Sequence, residues 1–193
     1  MGTADTGTGR ALLLIDVFSH FRFEDGAALA QAQLQSAPAV AAAAAACRRQ
    51  RVPVLYCNDN FGRWHETWQD VLAFTANEGL PASAELLARL RPQPGDFVLL
   101  KSRHSAFFHT QLMPLLEHLK IRRLALGGAA TDACVLCSAI DAHVRGFQVT
   151  VLGDAVAAAT EERSQRALDH IRDSLGLRVC SHQAWLEEDS AKA

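Results

Sequence analysis

Gly127-Gly128-Ala129-Ala130-Thr131-Asp132-Ala133-Cys134-Val135 is the stretch on which the reading of this 193-residue chain turns. The apolar run 124–126 ahead of it reads as a buried strand, the small residues as a turn, and the residues from Cys134 onward as a helix. A thiol at a helix N-terminus meets backbone N–H groups and the positive end of the helix dipole, both of which favour thiolate. Working outward, two more apolar runs end in a charged residue. Leu12-Leu13-Leu14-Ile15 leads into Asp16, and Phe97-Val98-Leu99-Leu100 leads into Lys101. An acid, an ammonium and a thiol at three strand ends are the parts of a nucleophilic site.

Extended and helical patterns alternate along the chain. Strands are expected at 11–15, 52–57, 96–100, 122–126, 148–152 and 177–180. Helices are expected at 26–50 with a break at Pro38, 64–73, 84–90 capped by Ser83, 109–119, 133–145, 161–175 capped by Thr160, and 181–188. Alternation of this kind predicts an α/β fold: a three-layer, doubly wound, six-stranded parallel sheet with helices on both faces. Such sheets bind ligands beyond the carboxyl ends of their strands, where Asp16, Asp59, Lys101 and Cys134 all fall. Residues 11–193 read as one domain, with residues 1–10 a flexible polar tail lacking the basic and apolar parts of a signal peptide.

Composition narrows the partners. A hydrophobic content of 49% with 21% charged residues is that of a packed domain. The net charge of -2 and the lack of a long basic run argue against nucleic acid, and no stretch is long and apolar enough for a membrane span. The five cysteines are odd in number and mostly set in apolar patterns, which fits a reduced, cytoplasmic protein. Cys137 forms C-x-x-C with Cys134 but reads as the next buried-face residue of the helix.

Gly128-Ala129-Ala130-Thr131-Asp132-Ala133-Cys134-Val135 resembles the nucleophile segment of the isochorismatase-like hydrolase superfamily, which includes nicotinamidases and other cysteine amidohydrolases. Lys101-Ser102-Arg103-His104-Ser105-Ala106-Phe107-Phe108-His109-Thr110-Gln111-Leu112 is similar to that family's Lys, Ser-Ala-Phe, Thr and Leu pattern, and Leu14-Ile15-Asp16 to its first segment. The likeness spans residues 10–185. It implies Cys134 as nucleophile, Asp16 as proton acceptor and Lys101 as electrostatic partner. It also implies a cis peptide between Ala129 and Ala130, an oxyanion hole from the backbone N–H groups of Ala130 and Cys134, and a homo-oligomer, dimer or tetramer, to which the apolar Ala139, Ile140 and Val144 could contribute.

The chemistry can be sized without the resemblance. A free thiol of pKa near 8.5 is only a few per cent ionised at neutral pH, and lowering it by about two units needs roughly 2.7 kcal/mol. One cation at about 4 Å supplies about 4 kcal/mol at an effective dielectric near 20, so Lys101 alone suffices in size. A charged Asp16 opposes thiolate, so its useful task is to accept the thiol proton and return it to the leaving group. The expected reaction is hydrolysis of a small amide, ureido or related carbon–nitrogen bond through a thioester-type intermediate. Vinyl-ether hydrolysis of isochorismate and a non-catalytic redox role for the thiol are the competing readings.

Two departures shape the expected pocket. Metal-dependent nicotinamidases resembling this chain place Asp-x-His after the second strand; here the segment is Asp59-Asn60-Phe61, and Phe61 cannot ligate a metal. No metal or other cofactor is therefore expected, and parts for Asp59 and His65 stay open. Many relatives carry Gln two residues after the acid, where this chain has Phe18. Phe18, Phe21, Asn60, Trp64 and Phe107 are the expected substrate contacts, in a largely aromatic pocket. Phe107 and Phe108 read equally well as core.

Overall fold

The computed structural model describes residues 9–190. Strands β1 (Arg10–Ile15), β2 (Val54–Asp59), β3 (Phe97–Lys101), β4 (Arg123–Ala129), β5 (Gln148–Ala157) and β6 (Arg178–Cys180) form one sheet in the order β3-β2-β1-β4-β5-β6. Every neighbouring pair is parallel. The intervening helices are α1 (Gly26–Arg49), α2 (Trp68–Glu78), α3 (Pro81–Leu90), α4 (Leu112–His118), α5 (Leu136–Val144), α6 (Glu161–Asp169) and α7 (His182–Ser190).

Period-2 alternation sorts β1 between two cores. Ala11, Leu13 and Ile15 pack with α4, α5 and α6 through Leu112, Leu116, Ala139 and Leu168. Leu12 and Leu14 face the other way, onto α1, α3 and α7 through Val40, Leu86, Leu87 and Trp185. These are the three layers expected from the alternation. Strand order reverses at β1 and β4, and Asp16 and the Cys134 turn leave the sheet at that switch point, the place where doubly wound sheets open a ligand crevice.

The structure moves several boundaries. Arg10, placed by the sequence reading in the tail, is a buried residue of β1; residues 1–8 of that tail lie outside the described residues. Helix α1 runs unbroken through Pro38, whose ring is exposed. Helix α2 starts at Trp68, not at 64, because Thr67 and Asp70 close a capping box there. Pro81 occupies the first turn of α3, and Ser83 is buried within it without capping. Thr160 caps α6 by accepting from the Arg163 N–H. Ala139 belongs to the core, whereas Ile140 and Val144 are exposed on α5.

The chief difference is that β4 continues through Gly127-Gly128-Ala129 instead of turning after Leu126. Glycine here serves close strand approach. Gly128 has φ +110, and a Cβ on it would stand 1.9 Å from the Ile15 carbonyl oxygen of β1. Among the described residues no helix is long and apolar enough to cross a membrane.

Gly128→Ala is expected to lower the unfolding free energy by about 2–4 kcal/mol. Gly62→Ala, at φ +73 with nothing within 4 Å of the added carbon, is expected to cost only about 1 kcal/mol. Urea denaturation of the two variants measures the difference.

Candidate active site

Asp16 leaves β1 in the left-handed region, at φ 47, with its N–H donated to the Cys57 carbonyl over 3.1 Å. Its carboxylate is held twice. Oδ1 accepts the Asp59 N–H at 2.7 Å, and Oδ2 lies 2.7 Å from Lys101 Nζ. Gln33 Nε2, from α1, donates to the Asp16 carbonyl at 2.9 Å.

Lys101 is the last residue of β3, and only 2% of it is exposed. Its Nζ also donates to the Arg103 carbonyl at 3.0 Å, lies 3.5 Å from Cys134 Sγ, and stands 3.8 Å from Asp59 Oδ2. A buried ammonium with this many acceptors is satisfied, as burial of a charge requires.

Cys134 sits in a π-helical turn, Thr131–Val135, that runs directly into α5. The Ala130 carbonyl takes up the N–H groups of Ala133 at 3.0 Å and Val135 at 3.1 Å, which shapes the turn. Neither the Thr131 nor the Asp132 side chain caps it. Thr131 is buried against the Ser164 hydroxyl, and Asp132 pairs with Arg163 at 2.6 Å. The Ala129–Ala130 peptide is cis. Ser138 links the turn to the loop after β3 by donating to the Cys134 carbonyl at 2.7 Å and accepting the Ala106 N–H at 2.9 Å.

The three segments therefore bring Asp16, Lys101 and Cys134 to one point. The electrostatics differ from the sequence-based sizing. Burial, and then the Asp16 charge, push the Cys134 thiol well above its ordinary range, with Lys101 opposing. Burial also pushes the Asp16 carboxyl up, against the pull of Lys101. Burial works to discharge Lys101, but the charges of Asp16 and Cys134 outweigh it and keep it an ammonium. One cation shared with a carboxylate at 2.7 Å cannot also be spent in full on a sulfur at 3.5 Å. At rest the carboxyl of Asp16 and the thiol of Cys134 compete for this one ammonium.

A cavity of about 410 Å³ opens over this point. Cys134, Asp16, Ala129, Ala130 and Ala133 form its floor, and Phe18, His20, Phe23 and Phe61 an aromatic wall. Of the expected substrate contacts, Phe18 lines it. Phe21 is buried beside the cavity, and Asn60 shapes its own loop by accepting the Gly62 N–H at 3.0 Å. Trp64 is 70% exposed and outside it. Phe107 packs in the core, its ring centroid 5.9 Å from that of Phe147. Chain proximity to a segment does not decide which face of a loop a ring covers.

The structure brings further residues to the cavity. His104 Nδ1 lies 3.5 Å from Cys134 Sγ, on an exposed residue of the loop after Lys101. Gln33, a buried polar residue in an Ala-rich helix, and Arg163 also line the cavity. For Gln33 the available signal was a polar residue in an Ala-rich helix, whereas Arg163 lies in the polar run Glu161-Glu162-Arg163-Ser164-Gln165-Arg166 and nothing local marks it. His65 is exposed and outside the cavity. Asp59 Oδ1 is engaged by the Phe61 N–H at 2.6 Å, and among the described residues no group of three His, Cys, Asp or Glu converges as metal ligands. These residues do not fit a metal centre of the nicotinamidase type.

The profile of the isochorismatase domain matches residues 10–184. The chain belongs to the isochorismatase family. It is a hydrolase by that membership. The isochorismatase-family protein YaaI of Bacillus subtilis is 28% identical over 179 residues, which cover 93% of this chain and 97% of YaaI. The ureidoacrylate amidohydrolase RutB of Pantoea ananatis is 42% identical over 83 residues, 43% of this chain and 33% of RutB. The structure of N-carbamoylsarcosine amidase from Thermoplasma acidophilum superposes with a TM-score of 0.67 at 25% identity, covering 90% of this chain and 96% of that one.

Removing the Asp16 charge removes one of the two effects that hold the thiol proton. Asp16→Asn is therefore expected to speed iodoacetamide alkylation of Cys134 at neutral pH, by about tenfold for each unit that the thiol pKa falls, while hydrolysis is lost. Intact mass against time follows the first, and an activity assay the second.

Proposed function

We propose that this isochorismatase-family hydrolase cleaves a small amide, ureido or related carbon–nitrogen bond through a thioester at Cys134, without a metal. The observation that carries the reading is the single ammonium of Lys101, 2.7 Å from Asp16 and 3.5 Å from Cys134, at the floor of an aromatic-walled cavity. The likeness to RutB and to N-carbamoylsarcosine amidase supports carbon–nitrogen chemistry.

Asp16 takes the thiol proton as Sγ attacks the substrate carbon. Negative charge passes from carboxylate to sulfur while the ammonium stays beside both, so the net charge of the three groups does not change and the transfer costs little solvation. The oxyanion that forms is met by the backbone N–H groups of Ala130 and Cys134. Such donors are worth roughly 100- to 1000-fold each in other acyl-transfer enzymes. Asp16 then protonates the leaving nitrogen, and water attacks the thioester, giving up its proton and restoring the thiol. His104, on the exposed side of the same sulfur, is the second base within reach of that water.

Cys134→Ala is expected to abolish hydrolysis across a panel of small amides and ureides, and intact-mass spectra of the unmodified enzyme are expected to show an acyl adduct at Cys134. Undiminished turnover in that variant, with isochorismate as the active compound, would favour vinyl-ether hydrolysis instead. Dialysis against a chelator is expected to leave turnover unchanged; loss that zinc restores would refute metal independence.

A further inference from the structure

Charge is unevenly answered around the cavity. Lys101 is matched by Asp16 at 2.7 Å, and Arg163 by Asp132 at 2.6 Å and Asp25 at 3.0 Å. Two carboxylates are left over. Asp59 is 3.8 Å from an ammonium already claimed by Asp16, and Glu24, exposed among the lining residues, makes no ion pair among the described residues. Arg22, the nearest further cation on this loop, turns away to donate to the Glu78 carbonyl and does not line the cavity.

A second, independent observation points the same way. Gln33 lines the cavity with 4% of its surface exposed, and its Oε1 is buried without a hydrogen-bond partner. Its Nε2 is committed to the Asp16 carbonyl, which fixes the orientation of the amide. An orphaned buried acceptor calls for a donor.

The wall between these acceptors is aromatic. The His20 ring packs edge-on against Phe23 at 5.9 Å and Phe61 at 5.0 Å, and Phe23 is 48% exposed. Ring faces attract cations. The outer side of the same cluster already holds one, the Arg63 guanidinium 4.2 Å from the Phe74 ring centre.

We propose that the cavity selects an amide or ureide bearing a positively charged, N–H-rich substituent such as a primary ammonium, and disfavours carboxylate-bearing analogues. The substituent lies between Glu24, Phe23 and Phe61, with Gln33 Oε1 as the acceptor for a ligand N–H. The assignment deepens the function proposed above and rests on it for the reacting bond, but charge selection itself can be read at the thiol without any turnover.

The test compares two thiol reagents of one reaction type on the full chain. One is 2-(trimethylammonio)ethyl methanethiosulfonate, which is cationic; the other is 2-sulfonatoethyl methanethiosulfonate, which is anionic. Rates are read at Cys134 by peptide mapping, and their ratio is divided by the same ratio for N-acetylcysteine. A cationic preference of about tenfold is expected at low salt, falling several-fold in Glu24→Gln and disappearing near 1 M salt, where the screening length is about 3 Å. A ratio at or below that of N-acetylcysteine overturns the proposal. In parallel, an ammonium-bearing amide, its neutral isostere and its carboxylate analogue are assayed for hydrolysis. Cationic preference at the thiol with no hydrolysis of any of them refutes the amidase reading and leaves charge selection standing. Fastest hydrolysis of the carboxylate analogue refutes charge selection and leaves the amidase reading standing.

Discussion

One buried ammonium organises this molecule. Lys101 is 2% exposed, and a charge so placed is tolerable only when anions and carbonyls surround it. Asp16 comes from the end of β1, Asp59 from the end of β2, the Arg103 carbonyl from the loop after β3, and the Cys134 sulfur from the turn after β4. Four adjacent parallel strands are thus bound at their carboxyl ends by a single cation. The same contacts that make its burial possible assemble the candidate reactive groups, so stability and the proposed chemistry share one set of interactions here.

That arrangement depends on backbone geometry more than on side-chain identity. Strands β1 and β4 must approach closely enough for Asp16 and Cys134 to share Lys101, and Gly128 against the Ile15 carbonyl permits it. Doubly wound topology then leaves the space above those two strands uncovered by helices, because the chain winds away in opposite directions from them. The cavity is a consequence of strand order. Its chemical character comes from the loop after β1, which carries Phe18, His20, Phe23 and Glu24, and from α1, which brings Gln33.

Electrostatics in the site act by exchange. Neither the thiol nor the carboxyl is stabilised as an anion on its own terms, since burial raises both. In the proposed reaction the ammonium supports one negative charge at a time, on oxygen before attack and on sulfur during it. A proton moving between the two redistributes charge within a constant total, which a low-dielectric pocket permits at far lower cost than creating a new ion.

The layer architecture, the strand sequence and the three candidate groups were legible in the chain, because parallel strands read as apolar runs and their carboxyl ends as the first polar residue after each run. Leu14-Ile15-Asp16 and Leu99-Leu100-Lys101 carry that signal locally. Other features were not local. Gly127 and Gly128 read as a turn but extend β4, because what decides their conformation is a neighbouring strand over a hundred residues away in sequence. Pro38 reads as a break, yet its helix runs on past it, held by the core its buried face packs on. Phe107 and Trp64 are aromatic like Phe18 and Phe61 but face the core and solvent, since ring orientation in a loop follows packing. The sequence by itself determined which groups could react and at which strand ends they stand. Only the tertiary structure decided how one ammonium is shared between carboxylates and thiol, which aromatic rings wall the cavity and that Glu24 on its lining makes no ion pair among the described residues, because each of these depends on distances between elements that the chain brings together only on folding.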